Sequence, residues 1–297
     1  MTRRAVRTTI VIASSVVLLG TAWLSMNRVP AETAAAAAQD GLPRTADGKP
    51  DLSGIWQVLT TAAWNIEDHQ AAKGVPAGQG VVEGGELPYL PAALATRNEN
   101  FKNRLTLDPE TKCFQPGMPR IMYMPYPFQI VQSTNKIHMA YAFSNSARTI
   151  HLDKVEGPPD DTWMGHSAGR WEGDTLVVDV TNFNDKAWFD RAGNFHSDAL
   201  HLVERFTPIS PDAIRYEVTI EDPKVFARPW RIAMPIYRRL EPNIQLLEYR
   251  CIEFVEEFLY GHLRKDQLVK HWEGETIVVD VRRKVPPGDR LYEQIGK

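Results

Sequence analysis

From Ile214 to Ile220 the chain alternates without a break. Ile214, Tyr216, Val218 and Ile220 are apolar, and Arg215, Glu217 and Thr219 stand between them. Successive side chains of a strand point to opposite faces, so this stretch buries one face and wets the other. It does not stand alone. Phe128 to Ser133 and Ile137 to Phe143 flank Thr134-Asn135-Lys136, and Gly169 to Glu172 and Thr175 to Val180 flank Gly173-Asp174. Arg148 to Asp153 reads as a short strand. Trp230 to Tyr237 and Ile244 to Cys251 are joined by Glu241-Pro242-Asn243, and Thr276 to Arg282 closes the series. Strands in series with turn signals at short intervals imply an antiparallel sheet closed or folded on itself. No β-α-β alternation occurs, which excludes the doubly wound folds.

The remaining segments are read from their punctuation. Ser53-Gly54-Ile55-Trp56 opens a first strand running toward Thr61, and Val75 to Pro88 is a Gly-rich surface loop. Pro91 at a first turn, followed by Ala92, Ala93, Leu94 and Ala95, predicts a helix over about 91–104. Asp108 to Arg120 returns to loop, and Ile252 to Leu263 is a second, shorter helical candidate. The expectation is a mainly β protein: an antiparallel, calycin-like barrel or closed sheet with one helix and long loops.

The first forty residues stand apart from that fold. Arg3, Arg4 and Arg7 precede an apolar run from Ile10 to Leu24, and Ala34 to Ala38 supply small residues for cleavage. This is the layout of a secretory signal. The alternative is an uncleaved N-terminal anchor, the only membrane contact expected, because Asn27 and Arg28 separate the apolar run from the alanines. Residues 1–39 are thus signal or anchor, 40–50 a linker rich in Gly and Pro, and 51–297 a single β-rich domain. The expected location is periplasmic or secreted. In that compartment the two cysteines, Cys113 and Cys251, are candidates for a disulfide, with two separate buried thiols as the alternative. A formal net charge of −3, with both signs interspersed, excludes the basic face that a nucleic-acid partner needs.

Gly54-Ile55-Trp56 resembles the opening of lipocalins and other calycins, where the Trp plugs one barrel end. Longer segments carry a second likeness: Asp51-Leu-Ser-Gly-Ile-Trp56, Pro127-Phe-Gln-Ile-Val-Gln132, Trp163-Met-Gly-His-Ser167, Gly169-Arg-Trp-Glu-Gly-Asp-Thr-Leu-Val-Val-Asp179 and Leu200-His-Leu-Val-Glu-Arg-Phe206. In these the chain resembles a family of uncharacterised exported bacterial proteins. That resemblance covers most of the mature chain and implies no catalytic residues. Within the chain, Trp272-Glu-Gly-Glu-Thr-Ile-Val-Val-Asp-Val281 repeats Trp171-Glu-Gly-Asp-Thr-Leu-Val-Val-Asp-Val180 almost letter for letter. The flanks differ, so the repeat reads as two hairpins solving one turn problem.

Chemistry concentrates between Thr162 and Phe206. His166 is read in a Gly-flanked turn before a strand, and Asp190 and His196 lie on the loop from Phe183 to Ala199. A histidine with a carboxylate partner titrates near neutrality, which acid–base catalysis requires. His166 and His196 are the expected acid and base, and Asp190 is expected to orient one imidazole. Trp163, Trp188, Asn182 and Arg191 are the expected substrate contacts, whereas Trp56, Trp171 and Trp230 are expected to pack in the core. The rival reading gives these polar groups to the loop itself, whose backbone must be hydrogen-bonded somewhere. His166, His196, His201 and Glu204 would suit zinc chemically, but the spacing matches no signature, and on a strand His201 and Glu204 face opposite sides. No metal and no organic cofactor is therefore expected, a divalent ion being the lesser alternative. No Gly-x-Ser-x-Gly elbow is present.

The leading expectation is an exported small-molecule-binding β-barrel working as a cofactor-independent acid–base enzyme. It would be a hydrolase, lyase or isomerase acting on an amphipathic or aromatic small molecule. The alternative is a non-catalytic periplasmic ligand-binding or carrier protein, and a third reading is an interaction module. An enzyme requires His166 and a carboxylate within hydrogen-bond reach in an open cavity. A carrier requires a deep apolar cavity with the histidines outside it, and an interaction module no cavity but an exposed apolar patch.

Overall fold

The computed structural model describes residues 41–72, 75–255, 259, 269–273 and 276–280. The expected signal or anchor segment, residues 1–39, lies outside the described residues, as does most of the expected helix from Ile252 to Leu263. The fold is a closed barrel of nine strands. They are β1 (Gly54–Val58), β2 (Phe128–Gln132), β3 (Lys136–Tyr141), β4 (Ala147–His151), β5 (His166–Glu172), β6 (Thr175–Thr181), β7 (His201–Ser210), β8 (Ala213–Glu221) and β9 (Trp230–Arg238). Each strand pairs with the next, and β1 pairs with β9 to close the ring. A helix, α1 (Pro91–Leu107), begins at the expected proline and runs on to Leu107. This is the expected calycin-like barrel, with α1 as the one long helix among the described residues.

The alternation decides what fills the barrel. Ile214, Tyr216, Val218 and Ile220 of β8 point inward, as do Leu202, Glu204 and Phe206 of β7 and Trp230, Ile232, Met234 and Ile236 of β9. Trp56 enters the core from β1, its indole Nε1–H donating to the Leu52 carbonyl at 2.9 Å. Trp230 is buried with it and Trp171 is half-buried against the core, so all three expected core indoles pack there. The two look-alike segments form hairpins in the same register. Glu172 faces Thr175 in β5–β6, and Glu273 faces Thr276 between β10 (Val269–Glu273) and β11 (Thr276–Asp280).

The structure corrects the sequence reading at three places. β4 and β5 pair in parallel, through Ile150↔Ser167 and His151↔Ala168, within an otherwise antiparallel ring. The connection 152–165 is long enough to carry the chain back and restart it in the same direction, which a tight turn cannot do. Second, β5 starts at His166, so this residue lies on a strand and not in a turn before it. Third, Ile244 to Cys251 forms no strand. Both edges of β9 are already occupied, by β8 and by β1 with the segment at Val82, so the chain beyond Arg238 has nothing to pair with. Instead its Tyr249 packs on Tyr126 and Phe143, and it is tied down by the disulfide Cys113–Cys251.

One polar group of the interior has no counterpart in the alternation rule. Glu204 is fully buried between Val178 and Val218 and receives Arg148 of β4 at 2.7 and 3.3 Å and the Tyr216 hydroxyl at 2.6 Å. Burial works against the Arg148 charge, and the facing Glu204 carboxylate more than offsets it, holding the guanidinium protonated. Such a pair gains little over well-packed apolar residues, but either half left alone is an uncompensated buried charge. Arg148→Met should cost about 3–5 kcal/mol in urea unfolding, whereas Arg148→Met with Glu204→Leu should recover most of that loss. Equal losses in the single and double variants would rule out coupling between the two side chains.

Candidate functional site

The loop between β6 and β7 is organised by one carboxylate. Asn182 ends β6 in the left-handed conformation (φ 58°), which an Asn tolerates better than most residues. The chain then bridges to Thr162 through Thr162 N–H to the Asn182 carbonyl and Asn184 N–H to the Thr162 carbonyl, both at 2.9 Å. A short hairpin follows, with Trp188 opposite Phe195 and Asp190 inside it. Asp190 has no solvent exposure. Its oxygens accept from Ala192 N–H at 2.9 Å, Asn194 N–H at 3.1 Å, Asn194 Nδ2 at 2.6 Å and Ile66 N–H at 2.9 Å. Gly193 (φ 85°) packs against the α1 backbone near Asn100 and Phe101, where a Cβ would come within 2.8 Å of the Phe101 nitrogen. Asp190 therefore stitches the loop to itself and to the distant segment around Ile66.

Neither imidazole hydrogen-bonds to Asp190. His196 is buried between Phe183 and Phe189, with ring centroids at 5.8 and 5.4 Å, and its Nδ1 lies 2.9 Å from the Ser197 carbonyl. That contact requires the proton on Nδ1, which leaves Nε2 as a buried acceptor without a partner among the described residues. Burial pulls the His196 pKa down and keeps the ring neutral. The carboxylate behind it is Asp222, which takes the Ser197 N–H at 2.6 Å and hydroxyl at 2.8 Å. His166 sits on the outer face of β5, half-exposed, with its ring 5.4 Å from that of His151. The expected acid, base and orienting carboxylate are thus dispersed: two lie inside the fold and one outside it.

The expected substrate contacts divide in the same way. Arg191 turns away from Asp190 and grips Glu110 with Nε at 2.6 Å and Nη2 at 2.9 Å. Glu110 also meets Arg120, itself bidentate to Asp108 at 2.8 Å. Burial pushes the Glu110 carboxyl up, but the Arg191 and Arg120 guanidiniums outweigh it and hold it below the usual range. Trp163 stacks on Phe114 at 5.3 Å, whereas the half-buried Trp188 indole has no ring partner among the described residues. Asn182 is the one contact that lies beside an expected catalytic group. A Cβ at Gly157 would be 3.2 Å from Asn182 Oδ1 and 3.7 Å from His166 Cδ2. The zinc-like set does not assemble either. His201 faces outward between Asp179 (2.8 Å) and Glu221 (3.3 Å), and Glu204 is inside with Arg148.

An open cavity lies at the seam of the barrel. β1 pairs with β9 only from Trp56 to Val58, opposite Arg238 to Ile236. Farther along β9 its place is taken by the segment at Val81–Glu83, through Ala233 N–H to the Val81 carbonyl (3.1 Å) and Glu83 N–H to the Arg231 carbonyl (2.9 Å). The gap between these two pairings is an open groove of about 610 Å³, lined by Gln57, Val58, Thr61, Trp64, Val81 and Met234 among others. Among the described residues no ionisable side chain lines it. The Trp64 indole has neither a ring partner nor a hydrogen bond among the described residues. Sequence reading missed this site because it is built from a strand end, a Gly-rich loop and the middle of β9, which no local pattern links. A smaller cavity of about 80 Å³ lies beside Glu110, Arg191, Tyr126 and Tyr249. No protein-family model matches this chain, and no curated protein matches it.

Asp190 yields a prediction with a definite sign. Burial raises its carboxyl from 3.8 to about 6, against the pull of its N–H donors. A carboxyl raised on folding adds stability that is full below 3.8 and is lost as pH rises through about 6. Asp190→Asn should destabilise the fold by roughly 1–3 kcal/mol at acidic pH, because donors lose an acceptor. The gap to wild type should narrow as pH rises from 4 to 7. Urea titrations of both proteins across that range test this, and a gap independent of pH would count against it.

Proposed function

We propose that this chain is an exported ligand-binding β-barrel without a catalytic centre, taking an uncharged amphipathic or aromatic small molecule in the seam groove. One observation carries the reading: the seam groove of about 610 Å³ is walled by apolar and neutral polar side chains, with one uncommitted indole. Ligand pockets share this composition, an apolar lining with a few placed polar groups that fix orientation. Gln57, Thr60, Thr61 and Gln79 supply neutral donors and acceptors, and Trp64 supplies a ring face. An acidic or basic ligand would enter without a counter-charge, at a desolvation cost the walls do not offset.

The dispersed acid–base groups support the same reading. Asp190 and His196 are used by the fold, which leaves His166 as the expected catalytic group open to solvent. Export rests on the basic and apolar residues before Ala34 and on the Cys113–Cys251 bond, a chemistry of oxidising compartments.

The test is fluorescence titration with the neutral aromatic probe N-phenyl-1-naphthylamine. Wild type should bind it saturably. Trp64→Ala should weaken binding by about tenfold, a loss of roughly 1.4 kcal/mol, while His166→Ala should leave it unchanged. Equal affinity in wild type and Trp64→Ala would place the ligand elsewhere, and loss of binding in His166→Ala would return the site to the histidines.

A further inference from the structure

We infer that His151 and His166 together form the anchor of a divalent transition-metal site on the outer wall of the barrel. The two imidazoles come from neighbouring strands, His151 at the end of β4 and His166 at the start of β5. The parallel pairing of these strands places both side chains on the outer face, because their neighbours Ile150 and Ser167 are paired and turn inward. Their ring centroids are 5.4 Å apart with planes inclined by 22°. A zinc–imidazole bond of about 2.0 Å sets each centroid roughly 3 Å from the ion, and two ligands at a tetrahedral angle then stand about 5 Å apart. The observed centroid separation matches that distance, with the ion taken at the nitrogen edges of the two rings and not between their faces.

Both rings are uncommitted. Neither forms a hydrogen bond or ion pair with another described residue, although the outward-facing His201 is held by two carboxylates and the buried His196 by a carbonyl. The loop that joins them supplies the complement. Residues 152–165 leave from one histidine and return at the other, carrying Asp153, Glu156, Asp160 and Asp161 against the single cation Lys154. All four carboxylates are exposed and none has an ion-pair partner among the described residues. No group of three histidine, cysteine, aspartate or glutamate side chains is assembled among the described residues. The site is therefore two fixed imidazoles with a third ligand drawn from the loop or from water. Two nitrogen ligands with oxygen donors suit zinc, nickel or copper better than calcium or magnesium.

The site lies apart from the groove and does not depend on the ligand proposed there. Calorimetric titration of the purified protein with zinc chloride is the test. Wild type should take up a single ion per chain. His151→Ala and His166→Ala should each weaken binding by about tenfold or more, with unchanged thermal unfolding, since both side chains stand on the solvent face. His69→Ala, which removes an imidazole on a different loop, should bind as wild type does. Absence of binding in wild type, or undiminished binding in both histidine variants, would overturn the assignment.

Discussion

The barrel closes through three residue pairs, Trp56↔Arg238, Gln57↔Tyr237 and Val58↔Ile236, and the rest of the structure depends on that short seam. A closed sheet has no free edge, but closing it requires the first strand to meet the last in register with every inward side chain accommodated. Trp56 and Arg238 settle the register. The indole is buried in the core, and the guanidinium lies 4.2 Å from its ring centre while Nη1 donates to the Ser53 carbonyl at 2.6 Å. Gly54 sits beside them at φ 142°, a backbone conformation that L side chains rarely adopt, and a Cβ there would displace the Arg238 guanidinium. Burial of a large indole, a cation on its face and a hydrogen bond to the backbone act on the same three residues.

The same seam makes the groove. β1 is too short to follow β9 along its length, and Pro125 and Pro127 end its pairing with β2 early. The segment at Val81–Glu83 takes up the free donors and acceptors of β9, and the space between the two partners stays open. The Asp190 loop fixes the residues flanking Trp64, since Ile66 N–H binds the Asp190 carboxylate and Arg191 N–H binds the Ala63 carbonyl. The loop richest in chemistry therefore ties down the segment that carries Trp64.

Buried charge is the fold's recurrent device. Arg148 with Glu204 sits in the barrel interior, and Asp108, Arg120, Glu110 and Arg191 form a chain under α1. Each charged group has its opposite within hydrogen-bond distance, which is the condition for tolerating it there. These clusters draw on residues far apart in sequence. They attach the α1 connection and β4 to elements folded from the second half of the chain.

Local patterns determined much of this protein by themselves. The alternation at Ile214–Ile220 named the inward face of β8, Gly173-Asp174 gave the β5–β6 turn, Pro91 started α1, and the hairpins in series implied a closed sheet. Each depends on residues within a few positions of one another, so periodicity and turn chemistry suffice. Tertiary structure alone decided the rest. The parallel β4–β5 pair brought His151 to His166, and the seam joined Gln57, Trp64 and Met234. The direction of each loop side chain gave Asp190 to backbone donors, not to an imidazole. A dense run of His, Asp and Trp shows which groups are near in sequence. Whether they meet is set by which N–H and C=O groups of the loop need partners, and those partners come from elsewhere in the chain.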